Sequence, residues 1–255
     1  WKKAMEAAAE AISGAEKCNS ELGRQNFMLY TSADSSLPND ERGRRNYRDA
    51  FTKEHWNGLE FIEAKGDRGG CQTLQQLMGP RPIANNMSLG WKTTSVPTME
   101  AVEMYYTKNG LPWEDDPETK DIDPYAYNAE AGTVNLHLYK EPRFYASVGY
   151  DRGTYEIDGK EITLYLRGGE LHGSTLKETD EYQSCTGYLC QKWIPKASTY
   201  SIPSNSFSFY YYAYPYLRLP ELYLSYAEAD FEYNGSLSTQ SLEYIYLVRK
   251  RWGLP

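Results

Sequence analysis

The sequence contains no apolar run long enough to cross a bilayer, so a membrane-spanning helix is excluded by inspection. Histidine is scarce, with three residues (His55, His137 and His172) far apart in sequence. None has an obvious nucleophile partner, and structural or surface roles are expected for all three. The four cysteines, Cys18, Cys71, Cys185 and Cys190, form no C-x-x-C pair, and no histidine stands at zinc-ligand spacing. Cys185 and Cys190 could meet across a tight turn, but four separate thiols fit equally, so the redox compartment stays open. H-E-x-x-H and G-x-S-x-G are both missing. The nearest approach, Asn86-Met87-Ser88-Leu89-Gly90, lacks the first glycine. Gly153 to Gly159-Lys160 imitates a phosphate loop with one residue too many, and Glu161 stands where a hydroxyl is needed.

Basic runs are also missing. The net charge is −8, which repels a phosphate backbone unless a local basic patch offsets it. Arg42, Arg44, Arg45 and Arg48 cluster at helical spacing among acids and a tyrosine, the pattern of a solvated helix face. No nucleic-acid partner is expected. No signal peptide opens the chain either, since Trp1-Lys2-Lys3-Ala4-Met5 reads directly as helix.

What is abundant is tyrosine, 24 residues, beside 6 tryptophans. These rings offer a flat apolar face and a polar tip, so they suit cores and wet binding surfaces alike. Most should pack in cores, while the surplus favours a binding protein.

Helical signals frame the chain. Trp1, Met5, Ala8 and Ile12 share one helix face, with Gly14 placed to stop it. Asp40 is a possible N-cap for a basic helix over about 41–57, and a short helix is expected around Gln72–Met78. Ser95-Val96-Pro97 predicts a helix start with Ser95 as cap, running until Gly110 and Pro112. Near the end, Pro220 opens one helix and Gly235 closes it. Ser238 caps another that stops at Gly253, so the two form an antiparallel hairpin of the kind stacked in tetratricopeptide solenoids.

Between these frames lies a β-section. Phe144, Ala146, Val148 and Tyr150 alternate as along one strand, and Tyr188–Ile194 reads as another. Asp158-Gly159 between Thr154–Ile157 and Lys160–Leu166 predicts a type I′ hairpin, because both turn positions need positive φ.

The candidate chemistry is capture, not catalysis. The loop from Trp113 to about Lys140 mixes Asp115, Asp116, Asp121 and Asp123 with Trp113, Tyr125 and Tyr127. Sugar C–H faces stack on such rings, while carboxylates take hydroxyls. Candidate glycan contacts are Trp91, Trp113, Asp115, Asp116, Tyr125, Tyr127 and Trp193. The run Phe207–Tyr212 is a further aromatic site, more readily explained by core packing. Paired loop carboxylates would also serve a glycosidase or calcium, but nothing marks a rigid catalytic acid, and the central glycine of a calcium loop is missing. No catalytic residue, metal or cofactor is expected.

Several segments together resemble the SusD/RagB family. Val96-Pro97-Thr98-Met99-Glu100-Ala101-Val102 through Tyr106, followed by Asn109-Gly110-Leu111-Pro112, is similar to its helix-exit motif. Lys140-Glu141-Pro142-Arg143-Phe144-Tyr145-Ala146 resembles its R-D-P-R-F segment, and Thr186-Gly187-Tyr188 with Lys192-Trp193 its T-G-Y segment. Tyr214-Pro215 through Arg218, Glu221, Tyr226, Ala227, Glu228 and Ala229 is similar to the opening of its late hairpin, and Arg249-Lys250-Arg251-Trp252-Gly253-Leu254-Pro255 to its end. Trp252 and Pro220 depart from the pattern, standing where the family has small residues.

The resemblance implies a mainly α fold, with tetratricopeptide-like helical hairpins packed against a loop-rich region with short β-hairpins. It implies a single domain over 1–255, incomplete at both ends, with a loop-rich ligand-side region at 113–213 and a helical hairpin at 214–255. It further implies a non-catalytic outer-membrane surface protein that binds oligosaccharide or polysaccharide, or peptide in the RagB branch. The partner would be a SusC-like TonB-dependent transporter. Membrane contact would come only through a lipid anchor that this sequence does not contain.

Overall fold

A computed structural model describes residues 1–22, 28–31, 34–52, 60–79, 95–173, 184–201 and 206–255. In chain order the elements are α1 (Lys2–Leu22), α2 (Asn39–Thr52), β1 (Phe61–Lys65), α3 (Arg68–Met78), α4 (Met99–Glu103), β2 (Tyr127–Asn128), β3 (Thr133–Val134), α5 (Pro142–Ser147) and β4 (Val148–Gly149). There follow β5 (Thr154–Ile157), β6 (Lys160–Thr163), β7 (Leu189–Cys190), β8 (Thr199–Ser201), β9 (Ser206–Ser208), β10 (Tyr214–Arg218), α6 (Leu219–Asn234) and α7 (Thr239–Lys250). Helices carry the architecture, and strands occur as two-stranded ladders among the described residues.

The chain divides into two compact units, one made of Trp1–Asp67 with Tyr212–Pro255, the other of Arg68–Tyr211. In the first, α1 packs along α6, and α6 on α7. The α6/α7 hairpin forms where the local signals place it. Pro220 sits in the first turn of α6, and Gly235 ends it in the left-handed region at φ 71°, where a side chain would be strained. The Ser238 hydroxyl then accepts from the Ser241 N–H to cap α7. Tyr223 and Tyr244 stack between the two helices at 4.3 Å.

Glu60 ties the same unit together. Its buried carboxylate pairs with Arg218 at 3.1 Å and with Arg251, and it accepts from the Tyr30 N–H. Arg218 lies over the Phe51 ring and Arg251 over the Trp252 ring. α2 closes on the end of the chain. A Cβ on Gly43 would stand 2.3 Å from the Trp252 carbonyl, so only glycine permits the approach. Asn46 donates to the Arg251 carbonyl at 2.8 Å beside it.

Two apolar clusters organise the second unit. One joins Tyr155, Ile157, Leu164, Leu189 and Ile194. The other joins Val102, Leu136, Phe144, Val148 and Tyr188. The β5/β6 hairpin turns on Asp158 and Gly159, at φ 58° and 69°, in register Ile157↔Lys160. Both turn positions have positive φ, the type I′ geometry the dipeptide calls for. Gln75 of α3 is fully buried, donating to the Tyr210 carbonyl at 2.9 Å and accepting from the Ser198 hydroxyl at 2.7 Å. That contact draws the aromatic run 207–212 into a structural role, with Tyr212 itself buried.

Four local expectations change. Gly14 does not stop α1, which runs on to Leu22. A mid-helix glycine costs about 1 kcal/mol relative to alanine, and burial of Ala8, Ile12 and Ala15 along the helix outweighs it. The alternation at 144–150 is mostly helical. Pro142 fixes the first turn of α5, and only Val148–Gly149 pairs as strand, with Leu189–Cys190. The helix expected from Ser95 is shorter, capped by Thr98, whose hydroxyl accepts from the Ala101 N–H. Finally, α2 begins at Asn39, so Asp40 lies in its first turn. All four cysteines are free thiols, which removes the Cys185–Cys190 bridge.

Candidate ligand-binding surface

The acidic and aromatic loop after α4 has a rigid base and an exposed tip. Its base is organised by Asp116. That buried carboxylate accepts from the Thr107 hydroxyl at 2.5 Å, from the Asn109 amide and from the Glu118 N–H at 2.9 Å. These donors, the Thr107 hydroxyl foremost, hold its pKa below the usual carboxylate range. Its oxygens are engaged by donors of the loop itself, so Asp116 acts as a clasp. Trp113 is turned inward too. Its indole N–H donates to the Ile122 carbonyl at 3.1 Å, and its ring meets Tyr139 edge-on.

Beneath this base lies Lys140, whose ammonium donates to the Tyr105 and Glu103 carbonyls at 2.6 and 3.1 Å. Burial brings its pKa down to about 8, against the pull of Glu141 and other carboxylates. His137 is held in the neighbouring cluster between the Thr133 hydroxyl at 2.7 Å and the Tyr188 hydroxyl at 2.9 Å. Burial lowers its pKa to about 4, so it is neutral at physiological pH.

The tip faces water. Asp123 accepts from the Tyr125 N–H at 2.9 Å, closing an Asx turn. The Tyr125 hydroxyl donates to the Glu103 carboxylate. Tyr127 opens β2, opposite Val134. Tyr125 is 53% and Tyr127 59% exposed, each with a side-chain partner, Glu103 and Arg167 respectively. Asp115 is exposed beside the clasp.

Of the candidate contacts, Asp115, Tyr125 and Tyr127 therefore lie on the surface, while Trp113 and Asp116 hold the loop from within. Trp193 is half-buried, with the Lys192 ammonium 5.1 Å from its ring. Trp91 lies outside the described residues, as does His55. Among the described residues no three His, Cys, Asp or Glu side chains converge to hold an ion.

Neighbouring groups with no signature in the sequence complete the surface. The Arg167 guanidinium lies 5.5 Å from the centre of the Tyr127 ring. It pairs with Asp151 at 2.8 Å and donates to the Gly132 carbonyl. Arg152 pairs bidentately with Glu170, at 2.9 and 2.5 Å, and lies 4.7 Å from the Tyr165 ring centre. His172 stacks on Tyr165 at 6.3 Å and accepts from its N–H. Only the fold brings positions 127, 151 and 167 together; alternation and spacing do not connect them.

A mainly helical protein with an ordered, aromatic-tipped loop region is the class that these features define. The SusD family model matches residues 59–255, and the chain belongs to that family. Among solved structures, BT4246 is similar over the whole of this chain at 22% identity, with a TM-score of 0.77. A SusD-like protein of Bacteroides fragilis, BF3747, is similar over 99% of it at 17% identity, with a TM-score of 0.57. At such identities the likeness is one of fold. The chain spans 45% of the length of each of these structures. No curated protein matches it. Among the described residues no helix is long and apolar enough to cross a membrane.

Proposed function

We propose that the protein captures oligosaccharide or polysaccharide at the cell surface without catalysing a reaction, and passes it to a SusC-like TonB-dependent transporter of the outer membrane. Membership of the SusD family supports this assignment. The observation that carries it is the pair of exposed, anchored tyrosines, Tyr125 and Tyr127, at the tip of a loop whose base is fixed. A fixed ring loses little freedom when a sugar stacks on it, so even a small surface yields useful affinity. Single-site dissociation constants of roughly micromolar to millimolar are expected, about −8 to −4 kcal/mol. Attachment of the whole protein to the outer membrane through a lipid anchor belongs to the same proposal.

Glycoside hydrolysis is disfavoured because the one buried carboxylate of the loop, Asp116, is taken up by Thr107, Asn109 and the Glu118 N–H and is closed off from any ligand. The test is native electrophoresis through gels that contain single soluble polysaccharides, with a non-binding protein alongside. Retardation by a glycan, with no release of reducing ends, is the expected result. Absence of retardation by every glycan, together with binding to peptides, would assign the protein to peptide capture.

A further inference from the structure

We infer that the ledge formed by Tyr127, Arg167, Asp151, Arg152 and Glu170 takes a neutral, hydroxyl-rich glycan and discriminates against acidic ones. The inference rests on glycan capture and specifies its ligand class. Two arginines beside an exposed ring look, at first, like a site for a uronate or a sulfate. The ion pairing argues against that. Arg152 is engaged bidentately by Glu170 and reaches Asp151 at 3.2 Å, while Arg167 is engaged by Asp151. Two cations face two carboxylates, and the ledge is locally neutral.

Neither carboxylate can turn aside to make room. Asp151 also accepts from the Leu166 N–H at 3.0 Å, and Glu170 from the Arg167 N–H at 3.1 Å. An acidic sugar would have to meet these fixed negative charges, on a chain whose net charge is −8. These pairs are partly exposed and individually weak, so the discrimination comes from like-charge repulsion, because an incoming carboxylate would lie beside Asp151 or Glu170. Sugar hydroxyls face no such conflict. They donate to free carboxylate lone pairs and accept from remaining guanidinium N–H groups, with no net charge moved.

Exposure favours Tyr127 over Tyr165 as the stacking ring. Tyr165 has two neighbours, the Arg152 guanidinium 4.7 Å from its ring centre and the His172 ring stacked at 6.3 Å, and is 41% exposed. Tyr127 has the Arg167 guanidinium 5.5 Å from its ring centre and is 59% exposed. Arg167 and Asp151 lie at the same ring, where hydroxyls of a stacked sugar would project.

The experiment is titration calorimetry and affinity electrophoresis of the full chain against neutral probes (a β-glucan, a galactomannan, an arabinan) and acidic ones (polygalacturonate, alginate). Binding to at least one neutral probe and to neither acidic one is expected. Tyr127→Ala should weaken it about tenfold or more, while Tyr127→Phe, which keeps the ring, should stay within about twofold. The double variant Asp151→Asn, Glu170→Gln frees both guanidinium groups and should gain affinity for polygalacturonate. Binding of polygalacturonate by the unaltered protein, lost in Arg167→Gln, would overturn the neutral class and leave glycan capture standing. Neutral binding unchanged in both Tyr127→Ala and Arg167→Gln would overturn the ledge as the site. Binding to neither class would overturn glycan capture, and this inference with it.

Discussion

Ser241 donates its hydroxyl to Asp230 at 2.5 Å, joining the first turn of α7 to the last full turn of α6. The same carboxylate accepts from the Ser238 N–H at 2.8 Å and the Asn234 amide at 2.7 Å. These donors, led by Ser238 and Ser241, hold Asp230 well below the usual carboxylate range. One side chain thus fixes the turn of the hairpin.

Replacing Asp230 by alanine should lower the melting temperature by several degrees, and Asp230→Asn by less, since the amide oxygen still accepts. Circular dichroism melts decide it. Equal melting of all three proteins would show that the carboxylate is dispensable. Its depressed pKa places its contribution at neutral pH. That contribution persists above the unfolded carboxylate range and disappears as the pH falls through the folded value.

His137 gives a separate window. Its folded pKa of about 4 lies below the unfolded value of 6.5 because burial disfavours the charged ring. Between those values the unfolded chain binds the proton and the folded one does not, so stability rises with pH across the interval. The stabilisation is full above pH 6.5, is lost progressively as the pH drops towards 4, and amounts to about 3 kcal/mol at roughly 1.4 kcal/mol per pKa unit. Urea titrations at pH 7, 5.5 and 4.5 measure it. His137→Gln should flatten the slope between pH 6.5 and 4.5, and a slope unchanged in that variant would assign it to other groups.

Gln75→Leu should destabilise the second unit by about 1–3 kcal/mol, the usual cost of leaving buried partners unsatisfied. Both the Tyr210 carbonyl and the Ser198 hydroxyl would lose their amide. Ser198 also accepts from the Tyr210 N–H at 3.0 Å, so the damage should spread along the 207–212 run. Chemical denaturation gives the energy, and hydrogen exchange at Tyr210 the location.

Asp115→Ala and Asp116→Ala should separate surface from support. The first removes an exposed carboxylate and should leave the melting temperature unchanged. The second removes the clasp of the loop and should lower stability and ligand affinity together, even though Asp116 is buried from any ligand. Paired melts and affinity gels read both effects.

Gly43→Ala should be among the most damaging small substitutions. The added methyl would press on the backbone of Trp252 and Gly253, not on a movable side chain. Overpacking of that kind costs about 1–3 kcal/mol, measurable by urea unfolding.

Much of the helical frame was legible because its signals are local. Pro220, Gly235 and Ser238 each act within one turn of themselves, and Asp158-Gly159 sets its hairpin through its own dihedral angles. Gly14 misled because a packed helix tolerates the propensity cost. The stretch from Phe144 misled because alternate burial arose from a short helix running into a bridge, not from a strand. At the candidate surface, the composition marked an aromatic and acidic loop and could not divide its residues into inward and outward. Trp113 and Asp116 are held inward by Ile122, Thr107, Asn109 and the Glu118 N–H, partners that composition does not assign to them. Arg167, Asp151 and Tyr127 meet through long-range packing that no periodicity encodes.

The first unit is assembled from two stretches of sequence, Trp1–Asp67 and Tyr212–Pro255. β1 pairs with β10, and α2 receives Trp252 and the Arg251 carbonyl. The whole of the second unit is synthesised between those halves. Tyr47 and Asn46 therefore meet Trp252 and Arg251 only across the whole of the second unit's sequence. Closing so long a loop costs chain entropy before the contact rewards it, so the seam between α2 and Trp252 should form late in folding, after the local α6/α7 hairpin.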